Sequence, residues 1–173
     1  MFHTILSPTD GSTHAEKAVA IAADLAAKYQ ARLVFLHVLL DEATADEIEH
    51  VLDGAESDSK LKRQVQELRS VSAPIPVGAG LASTSVPQAL LEDVGWRILD
   101  RAKRTAQQAG VAEVGTLLAE GNPAKRILTA AQAENADLIV MGSRGLGALQ
   151  SVFQGSVSQR IRHVCHCACL TVV

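Results

Sequence analysis

Residues Leu138 to Ser158 constrain this chain more than any other stretch: Leu-Ile-Val-Met-Gly-Ser-Arg-Gly-Leu-Gly-Ala-Leu-Gln-Ser-Val-Phe-Gln-Gly-Ser-Val-Ser. The apolar residues Leu138 to Met141 read as a buried strand that ends in Gly142, with Gly145 close behind. Gly155 and Ser156 then open a run of helical character. A strand that opens into glycines and then a hydroxyl-rich helix start outlines a phosphate site. Glycine lets backbone N–H groups approach an anion, and the helix N-terminus adds unpaired donors and the positive end of a dipole.

The rest of the chain supplies the scaffold such a loop needs. Hydrophobic residues are 47% and aromatics only 3%, so the core must be aliphatic, which suits a parallel sheet covered on both faces. His3 to Ser7 predicts strand β1, and Pro8-Thr9-Asp10-Gly11-Ser12 a turn. A helix is expected over Thr13 to Tyr29, with Thr13 and Glu16 spaced as a capping box. Leu33 to Leu40 is a continuous apolar run, the mark of a strand buried on both sides. After Pro87 a helix to Ala109, a strand at Val114 to Ala119, a helix at Ala124 to Asn135, the strand at Leu138 to Met141, a helix from Ser156 to His163 and a last strand at Cys169 to Val173 complete the pattern. Asn122 and Pro123 fit an N-cap and first helical position. Trp96 is expected to pack.

Alternation of strands and helices implies an α/β protein with right-handed crossovers and a parallel sheet. In such sheets ligands bind beyond the strand C-termini, where the glycine loop falls. At 173 residues a single domain, 1–173, is expected. Asp41 to Pro87 interrupts the alternation as an insertion, with helical pieces expected at Asp41 to Leu52 and Leu61 to Val71. A formal net charge of −3 and the lack of aromatic platforms argue against a nucleic-acid partner. No run reaches the roughly 18 apolar residues of a membrane span, and the N-terminus enters a strand without a signal-peptide pattern, so a cytoplasmic protein is expected.

The loop is not a P-loop, because no lysine precedes the hydroxyl residue in Gln154-Gly155-Ser156. Nor is it a dinucleotide fingerprint: the glycines Gly142, Gly145 and Gly147 follow the fourth strand and lack an acidic ribose reader at the right distance. Its spacing, Gly142-x2-Gly145-x9-Gly155-Ser156, resembles the motif of the ATP-binding branch of the universal stress protein family. Ile-Leu-Ser-Pro-Thr-Asp-Gly-Ser at the start, Phe-Leu-His-Val at Phe35 to Val38, and Gly-Ser-Val-Ser-Gln-Arg-Ile at Gly155 to Ile161 are similar to further blocks of that family.

The resemblance implies a five-stranded parallel sheet of order 3-2-1-4-5 with helices on both faces, similar to the adenine-nucleotide alpha-hydrolase fold. It implies a homodimer formed through the last strand, Cys169 to Val173, and an unidentified regulatory protein partner. It also implies roles for matching residues. Asp10 would lie at the adenine, with Pro8 and Thr9 lining the pocket and Val38 contacting the base. Gly121 would face the ribose. Met141, Gly142 and Gly145 would wrap the ribose and α-phosphate; Arg144 reads either as a phosphate contact or as a solvated side chain. Gly155, Ser156, Val157 and Ser158 would hold the β- and γ-phosphates. ATP is the implied ligand, with any Mg²⁺ held through phosphates and water rather than by protein side chains.

No base or paired carboxylates stand near the loop in sequence, so a nucleotide-dependent regulatory module in the stress response is expected rather than an enzyme. A slow ATPase or autophosphorylating switch acting through Ser156 or Ser158 is the alternative, and a nucleotide-free dimeric interaction protein is another. Gly142→Val with Gly155→Val is expected to abolish binding without unfolding the chain. Cys165, Cys167 and Cys169 share one face if the segment is a strand. Their spacing, with His163 and His166 nearby, fits small core or interface residues better than a metal cluster. Cys167-Ala168-Cys169 stands where the family commonly has Cys-Pro.

Overall fold

The computed structural model describes residues 1–39, 63, 87–146 and 155–173. The expectations for the insertion, Arg63 and Pro87 apart, lie outside these residues, as does Gly147. In chain order the elements are β1 (Thr4–Pro8), α1 (Thr13–Tyr29), β2 (Arg32–Leu39), α2 (Gln88–Gln108), β3 (Val114–Glu120), α3 (Pro123–Ala133), β4 (Leu138–Gly142), α4 (Ser156–Val164) and β5 (Ala168–Val172). The strands form one 5-stranded parallel sheet of order β3-β2-β1-β4-β5. Expected strand and helix limits differ from these by one or two residues, as fraying ends do.

Alternation along the strands sorts two cores. Ile5, Leu33, Phe35, Leu138 and Val140 meet Ala18, Ala22 and Ala26 of α1 and Leu99 and Ala102 of α2. Leu6, Val34, Leu36, Val38, Ile139 and Met141 meet Ala124 and Ile127 of α3 and Ile161 of α4. Helices α1 and α2 therefore cover one face, and α3 and α4 the other. Alanine on the buried face of α1 lets that helix lie close to the sheet. At Gly95 of α2 the approach is closer still: a Cβ there would stand 2.7 Å from Leu118 Cδ1 and 2.8 Å from His37 Cδ2.

Local chemistry sets the helix ends. Ser12, not Thr13, caps α1: its Oγ accepts from Ala15 N at 3.3 Å. Glu16 does not complete a capping box; its carboxylate pairs with Arg101 of α2 at 2.7 Å. Asn122 caps α3 by accepting from Lys125 N, with Pro123 at the first turn. Helices α1, α2 and α3 each close on a left-handed residue, Gln30, Gly110 and Asn135, with paired bonds back to the last carbonyls. Trp96 does not pack as expected, being 48% exposed on the outer side of α2. Among the described residues no helix is long and apolar enough to cross a membrane.

Ile139, fully buried at the centre of β4, tests this core. Ile139→Ala should lower the unfolding free energy by about 2–5 kcal/mol in urea melts, whereas Trp96→Ala should stay within about 0.5 kcal/mol.

Candidate functional site

Strands β1 and β4 lie side by side, yet the chain leaves β1 for α1 on one face and β4 for α4 on the other. In open α/β sheets such a reversal is the place for a crevice beyond the C-terminal ends of the strands. The β1 side begins at Thr9, whose N–H donates to Leu36 O at 2.9 Å. Gly11 takes φ +81°, a left-handed conformation open to glycine, and turns the chain into α1.

Asp10 ties this turn to the glycine loop. Its Oδ1 accepts from Ser12 N at 3.0 Å and its Oδ2 from Leu146 N at 2.9 Å. A Cβ on Gly145 would collide with that same Oδ2, so a side chain there requires the carboxylate to move. Gly142 is equally confined: a Cβ would lie 2.9 Å from His14 C and 3.0 Å from Ala15 N, both backbone atoms of α1. Gly142→Val would therefore disturb the fold as well as the loop, and the double valine variant cannot isolate a ligand effect.

Ser143 is the hub of the β4 side. Its N–H donates to Val172 O at 2.7 Å, which ties the loop to β5. Its carbonyl accepts from Gly155 N at 2.8 Å and lies 3.0 Å from Ser158 Oγ, which also lies 2.9 Å from Gly155 O. The Ser158 hydroxyl is thus buried and spent on bracing the loop. Gly155 is the N-cap of α4 and no side chain caps that helix, so Ser156, Val157 and Ser158 begin it with first-turn N–H groups; Ser156 is exposed. Among the described residues the Ser143 hydroxyl is buried with no hydrogen-bond partner. Such an orphaned hydroxyl, beside an uncapped helix start, fits a polar ligand group.

The remaining residues fall as follows. Val38 and Met141 are buried in one apolar cluster, on the α3 and α4 face. Pro8 pairs in register with Leu36. Gly121 takes φ +96° in the β3–α3 turn, beside β2's end through the Leu39–Glu120 pairing. Arg144 is half-buried, and its carbonyl lies 3.5 Å from Ser12 Oγ. The turn after β1, the loop after β4 and the start of α4 are brought together; Gly121 stands at the end of β3, beyond β2.

His37, which the sequence reads as a structural or exposed histidine rather than a ligand, is structural: it lies beneath the turn after β1. Its ring is buried in β2, and Nδ1 lies 2.8 Å from Thr9 O. A carbonyl only accepts, so Nδ1 carries the hydrogen. Burial pushes the imidazole below its ordinary pKa, against smaller upward pulls from the Thr9 carbonyl and the Asp10 carboxylate. The signal was a lone polar side chain inside an otherwise apolar strand, which must find a partner.

The family model for the universal stress protein family matches residues 1–172. A universal stress protein of Thermus aquaticus, encoded in a QAH/OAS sulfhydrylase 3′ region, is 36% identical over 172 residues, covering 99% of each chain. A universal stress protein solved in complex with cAMP shares the fold at a TM-score of 0.60 and 21% identity, over 99% of this chain and 96% of that one. Another, from Archaeoglobus fulgidus in complex with dAMP, does so at 0.56 and 17% identity, over 100% and 98%. The chain belongs to the universal stress protein family.

The Asp10–Gly145 contact predicts a coupled pair. Gly145→Ala should cost about 1–3 kcal/mol in the native background and clearly less in Asp10→Ala, a coupling near 1 kcal/mol in a double-mutant cycle; additive costs would refute the contact. His37 predicts a pH dependence. The unfolded chain takes up a proton below pH about 6.5 that the folded chain resists, so stability is full above that pH and declines as pH falls. In His37→Asn, which keeps a donor for Thr9 O, urea melts across this range should show a shallower decline.

Proposed function

We propose that this chain is a single-domain adenine-nucleotide-binding regulatory protein whose ligand is ATP. The observation that carries the reading is the crevice at the β1/β4 reversal, where the Asp10 turn, the Gly142–Gly145 loop and the uncapped start of α4 converge. Pro8 and Thr9 would line the base end and Val38 would contact the base. Asp10 would serve there chiefly by holding the two loops together. Met141, Gly142, Arg144 and Gly145 would flank the ribose and α-phosphate, and Gly121 would approach the ribose. Ser156, Val157 and Ser158 would present backbone N–H groups, and Ser156 its hydroxyl, to the β- and γ-phosphates, where a helix start favours anions; Gly155, whose own N–H is held by Ser143 O, would let the phosphates approach that start closely. Mg²⁺, if carried, would be held through phosphates and water.

Both oxygens of Asp10 are already engaged by backbone N–H groups, which leaves that carboxylate poorly placed to activate a water. A binder whose conformation ATP selects fits better than a hydrolase. The adenylates bound by the two solved relatives support the nucleotide class. A homodimer through Cys169 to Val173 fits the open edge of β5, where Leu170 is 38% exposed, and a regulatory partner would read the ATP-bound form.

Denaturing the purified protein should release ATP, and calorimetry on nucleotide-free protein should give a Kd of about micromolar or tighter. Ser156→Ala should weaken ATP roughly 5–10-fold and AMP little, since the change is at the phosphate end. Failure to bind any adenylate would overturn the reading. Transfer of γ-label from ATP to Ser156 would move it to an autophosphorylating switch.

A further inference from the structure

The cysteines depart from the expected strand arrangement. Only Cys169 lies in β5; Cys165 is the C-cap of α4 and Cys167 sits in the bend before the strand. In an extended strand, residues two apart are separated by about 6.5 Å along the chain. Here the chain turns at Cys165-His166-Cys167, and the Cys165 thiol folds back onto its second neighbour. Its Sγ lies 3.4 Å from Cys167 Sγ and 2.9 Å from Cys167 O, and Cys167 N donates to it at 3.4 Å. A bonded pair would be about 2.05 Å apart, so the sulfurs stand within about 1.4 Å of closure. All three thiols are free and half-buried, so the pair remains reachable by a small reagent.

We propose that Cys165 and Cys167 form a reversible dithiol–disulfide pair, oxidised by a low-molecular-weight disulfide such as glutathione disulfide. The Cys165 thiolate attacks one sulfur of that disulfide, and its S–S bond breaks. One glutathione leaves as a thiolate and takes up a proton. The Cys167 thiolate then attacks the Cys165 sulfur of the mixed disulfide, forming the Cys165–Cys167 bond and releasing the second glutathione. The protein loses two electrons and two protons, and the glutathione disulfide gains them as two thiols.

The order of attack follows from surroundings. Cys167 is pushed up to about 12, first by burial and then by the hydrogen bond and charge of Cys165. Capping Cys165 removes the second influence, and the 3.4 Å approach of the two sulfurs makes Cys167 the resolving thiol. Cys169 is pushed up to about 11, mainly by burial, and stays a thiol at neutral pH. The bridge would clamp the end of α4 to the start of β5, the strand whose Val172 carbonyl receives Ser143 N.

The test is a glutathione redox titration of the full chain, followed by alkylation and peptide mass spectrometry. Oxidation should lower the free thiols from three to one, leaving the peptide with one alkyl group, placed on Cys169 by fragmentation, and a mass about 2 Da below that of the singly alkylated dithiol form, reversed by dithiothreitol. Cys169→Ser should form the same bridge, its free thiols falling from two to none. Cys165→Ser and Cys167→Ser, checked by circular dichroism, should form no intramolecular bridge and instead carry stable mixed disulfides. Where a serine variant misfolds, the alanine variant and the wild-type peptide map serve instead. A bridge to Cys169, only intermolecular disulfides, or three thiols retained at full oxidation would each overturn the proposal.

Discussion

Everything at the functional end of this molecule depends on how closely β1 and β4 are joined where their connections part. The two strands are neighbours in a sheet buried on both faces, so neither can shift without opening one of the aliphatic cores. Their outgoing loops diverge to opposite sides, and one carboxylate, Asp10, spans the gap. A side chain at Gly145 would have to displace the carboxylate, and the α1 backbone leaves no room for one at Gly142. The glycines of the motif are thus explained by protein contacts before any ligand is considered.

The supports around this crevice are polar groups spent inward. Ser143 anchors the loop to β5 through its N–H and to α4 through its carbonyl, while the buried Ser158 hydroxyl braces the same turn. His37 holds the Thr9 carbonyl from beneath, in the ring position that the glycine at 95 in α2 allows. These bonds form in a low-dielectric interior, where a missing partner is costly. Among the described residues they leave the first-turn N–H groups of α4 without a side-chain cap and the buried Ser143 hydroxyl without a partner.

Much of the fold was legible because it rests on local patterns. Continuous apolar runs marked strands covered on both sides, helical stripes marked α1 and α2, and Asn122-Pro123 marked the start of α3. Where local reading slipped, a tertiary competitor had won. Thr13 and Glu16 have capping-box spacing, but Ser12 sits where its hydroxyl reaches Ala15 N, and Glu16 is drawn to Arg101 across the α1–α2 contact. Trp96 suggests burial by its size, yet its place on α2 turns it outward. The cysteines have strand spacing, but α4 ends at Cys165 and the chain bends before β5 begins.

By itself the sequence determined the class of fold, the order of its elements and the position of the glycine loop after a buried strand, because hydrophobic period and glycine placement act over a few residues. Which atoms meet was decided only in three dimensions. That Asp10 reaches Leu146, that His37 reaches Thr9, and that Ser143 gathers Gly155, Ser158 and Val172 all join residues far apart in the chain. The strand pairing and the helix packing set those distances, and hydrogen bonds hold only where such distances close.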